Sequence, residues 1–329
     1  MLQDLAISHP GHWILIDEVQ KAPKVLDVVH SLIESDRRKF ILTGSSSRKL
    51  KRAGANLLAG RAFVYSMHPF SIMELGDRFD LAEALRWGML PKIFSLKKHG
   101  DKKRFLDSYA QTYVREEILI EQLVRNVVPF RSFLKIAAFE SGHILNYDKI
   151  RKQLGVENKT VQSYFDILED TFIGFRLPAF DESVRKSQLK HPKFYFFDAG
   201  VQRSLTNELT NYVVEGTSNF GLLFEQLMIQ ECRKLNEYHE LSFELSYLCT
   251  KNEAEIDLIL SRGRDRFAVE FKSSERIDPD RVKALEELAK DIRGCKKIFY
   301  VSRDPKPIKI GGVYCMHWHE FFGKTLAEL

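Results

Sequence analysis

Cysteine is scarce in this chain and follows no paired spacing. The 329 residues include only four cysteines, and none stands in a Cys-x-x-Cys pair. Such scattered cysteines argue against a disulfide framework and indicate reduced thiols in a cytoplasmic protein. Alternation along a strand would place Cys315, His317 and His319 on one face, which hints at zinc, although packing or interface roles are more usual for such a group.

Long apolar runs are also absent. No stretch approaches the roughly 20 apolar residues of a membrane span, and the N-terminus has no basic segment followed by an apolar one. We therefore expect a cytoplasmic protein without a membrane partner. The length allows two or three domains, and 44% hydrophobic residues allow real cores. A formal net charge of +5 permits nucleic-acid binding but does not require it.

The most informative stretch covers residues 253–274 and reads EAEIDLILSRGRDRFAVEFKSS. Apolar and polar residues alternate in two runs, and the polar SRGRDR segment between them is typical of a hairpin turn. The pattern predicts two paired strands. Their apolar positions are Ile256, Leu258 and Leu260 on the first and Phe267, Val269 and Phe271 on the second.

This predicted hairpin brings two acids and a lysine together. Asp257 lies on the first strand, while Glu270 and Lys272 share a face of the second because residues two apart point the same way. Neighbouring carboxylates repel unless a cation lies between them, and Mg²⁺ suits such oxygen ligands. Lys272 would orient an attacking water or neutralise developing phosphate charge. The alternative is an exposed hairpin with a surface salt-bridge cluster.

The pattern resembles the PD-(D/E)xK core of restriction-endonuclease-like nucleases. Residues 221–235, GLLFEQLMIQECRKL, precede it and have the spacing of a helix. In the resembling nucleases a helical Glu supplies a further metal ligand, and Glu225 matches it. The resemblance implies a Mg²⁺ or Mn²⁺ site of Glu225, Asp257 and Glu270, with Lys272 assisting phosphodiester hydrolysis. Alternatively, Glu225 is a carboxylate near a helix N-terminus, which the helix dipole favours.

Motifs of a second kind lie near the N-terminus. His12 to Gln20, HWILIDEVQ, predicts a buried parallel strand with acids at its tip. It resembles a Walker B motif, in which Asp17 would hold Mg²⁺ and Glu18 would polarise the attacking water. A second predicted strand ends at Thr43, which resembles the sensor-1 residue of AAA+ ATPases. Arg61, in LAGRA, resembles an arginine finger. Taken singly, such residues are often helix caps or surface charges.

Four segments in this order are more specific than any one of them: IDEVQKAP, ILTGSS, LAGRA and HPFSIMEL. Together they resemble a bacterial and archaeal family of AAA-type ATPases whose C-terminal domain has a restriction-endonuclease-like core. The resemblance runs from about His12 to Phe322. It implies association with nucleic acid, and it agrees with self-association through the ATPase-like region.

The family's phosphate-binding loop is missing from this sequence. A GxxxxGK[ST] loop would precede the Walker B strand by ~30 residues or more. Only eleven residues precede His12, and they contain no such loop. Without it no backbone N–H groups cradle the phosphates and no lysine reaches them. We therefore expect an N-terminally truncated family member that uses ATP only if the loop is supplied. A gene fragment, a late start or loss of the motor would each explain the truncation.

The middle of the chain is predicted to be helical. Residues 69–129 fit the helical lid of an AAA-type ATPase or a helical linker bundle. Residues 130–192 predict three helices and a strand, and they resemble a winged helix-turn-helix. A protein-protein module is the alternative, because the far end of the third helix is acidic. The residues that this helix would present to the major groove of DNA are Asn158, Lys159, Gln162 and Ser163.

A basic linker precedes the C-terminal region. Its four basic side chains would follow a phosphate backbone or simply be solvated. They are Arg185, Lys186, Lys190 and Lys193. The next segment, KFYFFDAG, predicts a strand that ends in Asp198, for which we expect a turn or cap role.

The whole sequence predicts an α/β protein in four segments. These are a partial P-loop NTPase core (1–68), the lid (69–129), the winged helix with its linker (130–192) and a restriction-endonuclease-like α/β domain (193–329). The leading hypothesis is an AAA-family protein associated with nucleic acid, with a metal-dependent nuclease domain. The alternatives are a non-catalytic DNA- or protein-binding regulatory module and an inactive remnant of an ATPase.

Overall fold

A computed structural model describes residues 2–9, 11–22, 24–44, 60–113, 127–182, 190–250, 252 and 254–329. In this part the chain is mixed α/β, with ten strands in three sheets. Two compact units are formed, one by residues 1–65 and 165–173 and the other by residues 66–164 and 174–329. Among the described helices, none combines the length and apolarity needed to cross a membrane. The four predicted segment boundaries stay a prediction.

The first unit contains a small parallel sheet. Its elements are α1 (Leu2–Ser8), β1 (Ile14–Ile16), α2 (Val25–Asp36) and β2 (Phe40–Leu42). The parallel register, with Leu15 opposite Ile41, confirms the predicted strand direction. Full burial was also predicted and is wrong here, because both of these side chains are exposed. Among the described residues, the core of this unit lies on the other face, around Val19, Leu26 and Val29.

The second unit begins with short helices. They are α3 (Ile72–Leu75), α4 (Leu81–Trp87), α5 (Pro91–Ser95) and α6 (His99–Ser108). The helical prediction is confirmed for these residues, but the helices are interrupted. Gly76 follows α3 with a φ of 50°, a conformation that favours glycine, and a 3₁₀ turn over Gly76–Arg78 separates α3 from α4.

Three further helices and a strand lie where they are predicted. They are α7 (Val127–Phe139), α8 (Tyr147–Leu154), α9 (Asn158–Asp170) and β3 (Gly174–Leu177). Asn146 caps α8 by accepting a hydrogen bond of 2.9 Å from the N–H of Lys149. Gly155 ends this helix with a φ of 65°. The winged-helix arrangement itself stays a prediction.

A six-stranded sheet dominates the C-terminal part. Its strand order is β5-β6-β7-β8-β10-β9, with β5 to β7 antiparallel, β8 parallel to both β7 and β10, and β9 antiparallel to β10. The elements are β4 (Lys193–Phe196, antiparallel to β3), α10 (Ala199–Leu205), α11 (Ser218–Tyr238), β5 (Glu244–Cys249), β6 (Glu255–Arg262), β7 (Asp265–Phe271), α12 (Pro279–Ala289), β8 (Cys295–Ser302), β9 (Ile308–Ile310) and β10 (Val313–His317).

Two apolar clusters cover the two faces of this sheet. One packs Leu227 of α11 against side chains such as Leu258 and Val269. The other packs Val282 of α12 against side chains such as Ala268. Burial on both faces fixes the central strands, at about 25 cal/mol for each Å² of apolar surface removed from water. Acidic side chains of β6 and β7 are therefore presented by a rigid sheet.

Candidate functional site

The predicted hairpin is present. β6 ends at Arg262 and β7 begins at Asp265, so Gly263 and Arg264 form a two-residue loop. Gly263 has a φ of 60°, which such tight hairpin loops require and glycine adopts without strain. The antiparallel register ends with Leu258 opposite Val269. One residue further along, Asp257 and Glu270 face each other, as predicted.

A bulge in β6 lies beside this acid pair. From Ser246 to Leu248 the chain of β5 advances two residues, whereas their partners on β6 run from Ile259 back to Ile256, which is three residues. β6 therefore carries one extra residue in the segment that contains Asp257. Bulges of this kind re-aim side chains and are common next to active sites.

The bulge also breaks the predicted alternation. Leu258 and Leu260 belong to the cluster that packs against α11. Ile256 instead joins Ile259 in the cluster that packs against α12. The prediction that Ile256 shares a face with Leu258 is therefore wrong, because the extra residue inverts the alternation at this point.

Backbone and side-chain groups bind each other reciprocally at the end of the ladder. The N–H of Asp257 donates to Oε2 of Glu270 at 3.3 Å. The N–H of Phe271 donates to Oδ2 of Asp257 at 2.8 Å. Asp257 is only 4% exposed. The acids are thus held in a buried position, unlike those of the exposed surface cluster that was the alternative interpretation.

Lys272 contacts both of these acids. Its Nζ lies 3.7 Å from Oδ2 of Asp257 and forms a close ion pair with Glu270. Burial alone lowers the pKa of Lys272, but the charges of Asp257 and Glu270 outweigh it, so the pKa is raised and the side chain is an ammonium. The side chain is 26% exposed, so this ammonium has access to solvent.

Glu225 approaches from α11. The helix begins at Ser218 after a Thr217 cap, so Glu225 lies about two turns inside it and not in the first turn, where the helix dipole acts most strongly. Its Oε1 accepts hydrogen bonds from Lys193 Nζ at 3.1 Å and from the hydroxyl of Tyr195 at 2.9 Å. These two contacts hold the carboxylate towards β4.

Burial and the charge of Asp257 raise the pKa of two neighbouring acids. The pKa of Glu225 is raised to about 7, and that of Glu270 to about 8, in each case first by burial and then by Asp257. The nearby lysines offset these effects only in part. Asp257 is therefore within electrostatic reach of both the helical and the strand carboxylate.

Six charged side chains surround this site, and we call them the carboxylate cluster; their charges do not balance. The cluster has four carboxylates and only two ammonium groups, so it carries two excess negative charges when all groups are ionised. These groups are Glu225, Glu255, Asp257, Glu270, Lys193 and Lys272. Oxygen ligands and an excess of two charges fit a hard divalent cation. Across the described ranges, no group of three His, Cys, Asp or Glu side chains is placed so that it could hold a metal ion. In this arrangement lysines hold the carboxylates instead.

The three predicted ATPase-like residues of the first strands lie together in the first unit. The hydroxyl of Thr43 donates a short hydrogen bond to Oδ1 of Asp17, and the N–H of Glu18 donates to the same hydroxyl at 3.3 Å. Glu18 has a φ of 53°, an uncommon conformation for a residue other than glycine. Arg61 forms a close ion pair with Glu34 of α2. The ATPase roles of these residues stay predictions.

The predicted DNA-reading residues share one surface. They lie in the N-terminal half of α9, and all four side chains are exposed: Asn158, Lys159, Gln162 and Ser163. The intervening Val161 and Tyr164 are buried. The helix therefore presents the four polar groups to solvent, while their role in DNA binding stays a prediction.

Lys193 is the site residue that sequence reasoning missed. The linker interpretation placed it among solvated or phosphate-following lysines, but its side chain is 4% exposed and contacts Glu225 and Glu255. That interpretation is wrong for Lys193, because the residue is the first of β4 and not part of the linker. Lys190 pairs with Asp181 at 3.1 Å.

The sequence carries a signal for the shared orientation of Lys193 and Tyr195, although not for the acid that they both contact. Lys193 and Tyr195 are two residues apart on a strand, so both reach the same carboxylate. The other two basic residues of the linker, Arg185 and Lys186, lie outside the described residues.

Two lesser expectations have definite outcomes. Asp198 is confirmed as a cap, since its carboxylate accepts hydrogen bonds from the N–H groups of Val201 at 3.0 Å and Met89 at 2.6 Å.

The zinc site suggested for Cys315, His317 and His319 is wrong. β10 ends at His317, whose Nδ1 accepts a hydrogen bond of 3.2 Å from the N–H of His319, so His319 lies beyond the strand that would have aligned it with Cys315.

The HPFSIMEL segment is anchored to α11 by a buried ion pair. Glu231 accepts a hydrogen bond of 2.8 Å from the N–H of Ile72, at the start of α3. Lys234 donates one of 2.8 Å to the carbonyl of Phe70 and lies 3.6 Å from Glu231. Both charged side chains are almost completely buried. The motif therefore has a structural role, because it attaches the start of α3 to α11 within the second unit.

Family models match three consecutive parts of the chain. Residues 1–76 match an AAA domain. The first part of the chain is thus AAA-related. Residues 78–211 and 220–321 match two domains of unknown function, DUF8612 and DUF4143. The carboxylate cluster falls in the DUF4143 match, apart from Lys193.

The curated relatives are uncharacterized. A Mycobacterium tuberculosis protein is 23% identical over 270 residues, which cover 82% of this chain and 60% of the relative. A Haemophilus influenzae protein is 24% identical over 208 residues, covering 58% of this chain and 52% of the relative. The chain therefore spans about half to three fifths of the length of these relatives.

Two solved structures show only a weak likeness. Can2 from Sulfobacillus thermosulfidooxidans, solved in complex with cyclic tetra-adenylate, is 11% identical with a TM-score of 0.25, covering 98% of this chain and 94% of that one. Protein VC1899 from Vibrio cholerae is 13% identical with a TM-score of 0.26, covering 94% and 80%. Similarity this low carries no argument about fold or function.

Proposed function

We propose that residues 193–329 form a restriction-endonuclease-like domain that hydrolyses nucleic-acid phosphodiesters with a divalent ion. One observation carries the proposal: the buried acids Asp257 and Glu270 of two paired strands share the ammonium of Lys272, and the helical Glu225 lies within electrostatic reach of Asp257. This arrangement is supported by the contacts of Glu225, Asp257, Glu270 and Lys272. The AAA-related first part makes the chain an ATPase-related protein in which this domain is the proposed catalytic one.

The roles of the residues follow from their positions. Asp257, Glu270 and the helical Glu225 would hold Mg²⁺ or Mn²⁺, which when bound supplies a polarised phosphodiester and an activated water. Lys272 has to leave Glu270 for the ion to enter, and its partial exposure allows this movement. Its released ammonium then faces solvent, where it orients a water or neutralises charge on a substrate phosphate.

A cleavage assay tests the proposal. Supercoiled plasmid, branched DNA and single-stranded RNA are incubated with the protein and Mg²⁺, Mn²⁺ or a chelator. We expect divalent-dependent cleavage that is lost in Asp257→Ala and Lys272→Ala. Asp265→Ala is the matched control, because Asp265 lies at the other end of β7 and pairs with Lys296 at the surface. Cleavage that survives both site substitutions would come from a contaminant and would contradict the proposal.

A second candidate function is nucleic-acid binding without cleavage. The exposed polar groups on the first half of α9 favour it, since the N-terminal residues of a recognition helix contact base edges. Salt-sensitive binding of duplex DNA, with no cleavage under any divalent condition, would support this function over the first. The site lysines would then act only as counter-ions of buried acids.

A further inference from the structure

Lys193 has the surroundings of a bound cation. Its Nζ lies 3.1 Å from Oε1 of Glu225 and 3.1 Å from Oε2 of Glu255. The ring of Tyr247 lies below it, with the centroid 5.6 Å away, and such an aromatic face also favours a positive charge. The ammonium thus bridges a carboxylate of α11 to one of β6.

The two lysines of the cluster differ in their freedom to move. The side chain of Lys272 is 26% exposed, whereas that of Lys193 is only 4% exposed. A buried ammonium that leaves two carboxylates would also leave them without compensation, which is costly. Lys272 is therefore the exchangeable cation, and Lys193 is the fixed one.

We propose that Lys193 is a built-in cation that fixes Glu225 and occupies the place of a second metal ion, so that the site takes a single divalent ion beside Asp257 and Glu270. The part of this proposal that concerns the single ion rests on the proposed metal-dependent function. Lys193 is a positioning residue here, because it acts on the reaction through Glu225.

The contacts of Glu225 agree with a site that has one fixed ammonium, Lys193, and one metal ion. Lys193 and Tyr195 both bind Oε1. Oε2 is the oxygen that neither of them binds, so it is the one that Glu225 would offer to an ion. The charges agree as well: with Lys193 in place and Lys272 released, one divalent ion reduces three excess negative charges to one, whereas two such ions would leave an excess of positive charge.

Manganese titration tests the role of Lys193 without an activity measurement. Free Mn²⁺ is followed by its EPR signal while the full chain is titrated, and the number of ions bound per chain is compared between variants. Lys193→Met and Lys193→Gln remove the charge, and the second keeps hydrogen-bond donors in case the first does not fold. Lys193→Arg keeps the charge. Lys190→Met is the matched control, because Lys190 is half-exposed and pairs outside the cluster.

The expected result is a gain of one bound Mn²⁺ per chain in the Met and Gln variants relative to the wild type, and no gain in the Arg variant or the control. Mn²⁺ should also raise the melting temperature of Lys193→Met more than that of the wild type, because the ion replaces the missing ammonium.

Equal ion counts in the wild type and in both charge-removing variants would overturn the proposal for Lys193. A wild type that binds no Mn²⁺ would instead contradict the proposed metal-dependent function, and the gain in the variants would still test Lys193 independently. One ion in the wild type and one in the variants would leave the metal-dependent function standing and remove the inference.

Discussion

The backbone N–H of Phe271 donates a hydrogen bond of 2.8 Å to the carboxylate of Asp257. The acid of one strand is thereby tied to the segment that carries Glu270 and Lys272 on the next strand. The regular ladder ends one residue earlier, at Leu258 and Val269. The carboxylate of Asp257 thus replaces a backbone carbonyl as the acceptor for the N–H of Phe271. This hydrogen bond fixes the position of the Asp257 side chain on the sheet.

This hydrogen bond predicts different stabilities for two substitutions of Asp257. Asp257→Ala leaves the N–H of Phe271 buried without an acceptor, which should cost roughly 1–3 kcal/mol of unfolding free energy. Asp257→Asn keeps an oxygen acceptor and removes the charge that repels Glu225 and Glu270, so we expect a smaller loss. Urea unfolding measures both, with Asp265→Ala as control. Equal losses in the two variants would show that the hydrogen bond does not stabilise the fold.

The contacts of Lys272 predict opposite changes in metal affinity and activity. Lys272→Met frees Asp257 and Glu270 from a competing ammonium, so Mn²⁺ should bind more tightly, by about tenfold if the relief is worth about 1.4 kcal/mol. Cleavage should be lost in the same variant. Calorimetric titration and the plasmid assay test this pair of outcomes. Weaker binding of Mn²⁺ would indicate that Lys272 supports the ion indirectly instead of competing with it.

The lowered pKa of Glu237 predicts that the protein loses stability in acid. Although burial raises its pKa, the hydrogen bond and charge of His68 and the charge of Arg233 lower the pKa from its ordinary 4.5 to about 2. Because the folded pKa is depressed, the stabilisation is present above about pH 4.5 and is lost as the pH falls towards 2. Urea unfolding at a series of acidic pH values should show a shallower decline for Glu237→Gln. An unchanged pH dependence in that variant would contradict the role of this pair.

The exposed position of Lys159 on α9 predicts how DNA binding depends on salt. If α9 contacts duplex DNA, Lys159→Ala should weaken binding and reduce the slope of log K against log salt concentration by about one. Lys152→Ala is the control, since Lys152 is also exposed but lies on the preceding helix. Fluorescence anisotropy at several salt concentrations measures the slopes. Identical slopes in all three proteins would remove α9 as the DNA-contacting element.

Local patterns were sufficient for the parts of the site that lie within one hairpin. Alternation over residues 253–274 predicted both strands, the turn and the meeting of Asp257 with Glu270. The period of two residues fixes which side chains share a face, and a two-residue loop fixes the register. The cap role of Asp198 was predicted for a similar reason, because a cap depends on its immediate neighbours in sequence.

Contacts between distant segments were beyond such reasoning. Lys193 reaches Glu225 across 32 residues of sequence, and no local period links them. The bulge that inverts the position of Ile256 depends on the pairing of β6 with β5, so it could not be predicted from β6 alone. The exposed outer face of β1 and β2 likewise reflects how many elements cover a sheet, which apolar composition does not reveal.

The buried pair of Glu231 and Lys234 has a practical consequence for dissecting the chain. Residues Phe70 and Ile72 lie inside the stretch that matches an AAA domain, yet their backbone groups complete the partners of this pair on α11. Cutting the gene at the border of the sequence match would remove backbone hydrogen-bond partners of both buried charges. Expression of the C-terminal sheet as a soluble fragment should therefore require a start at or before Ser66.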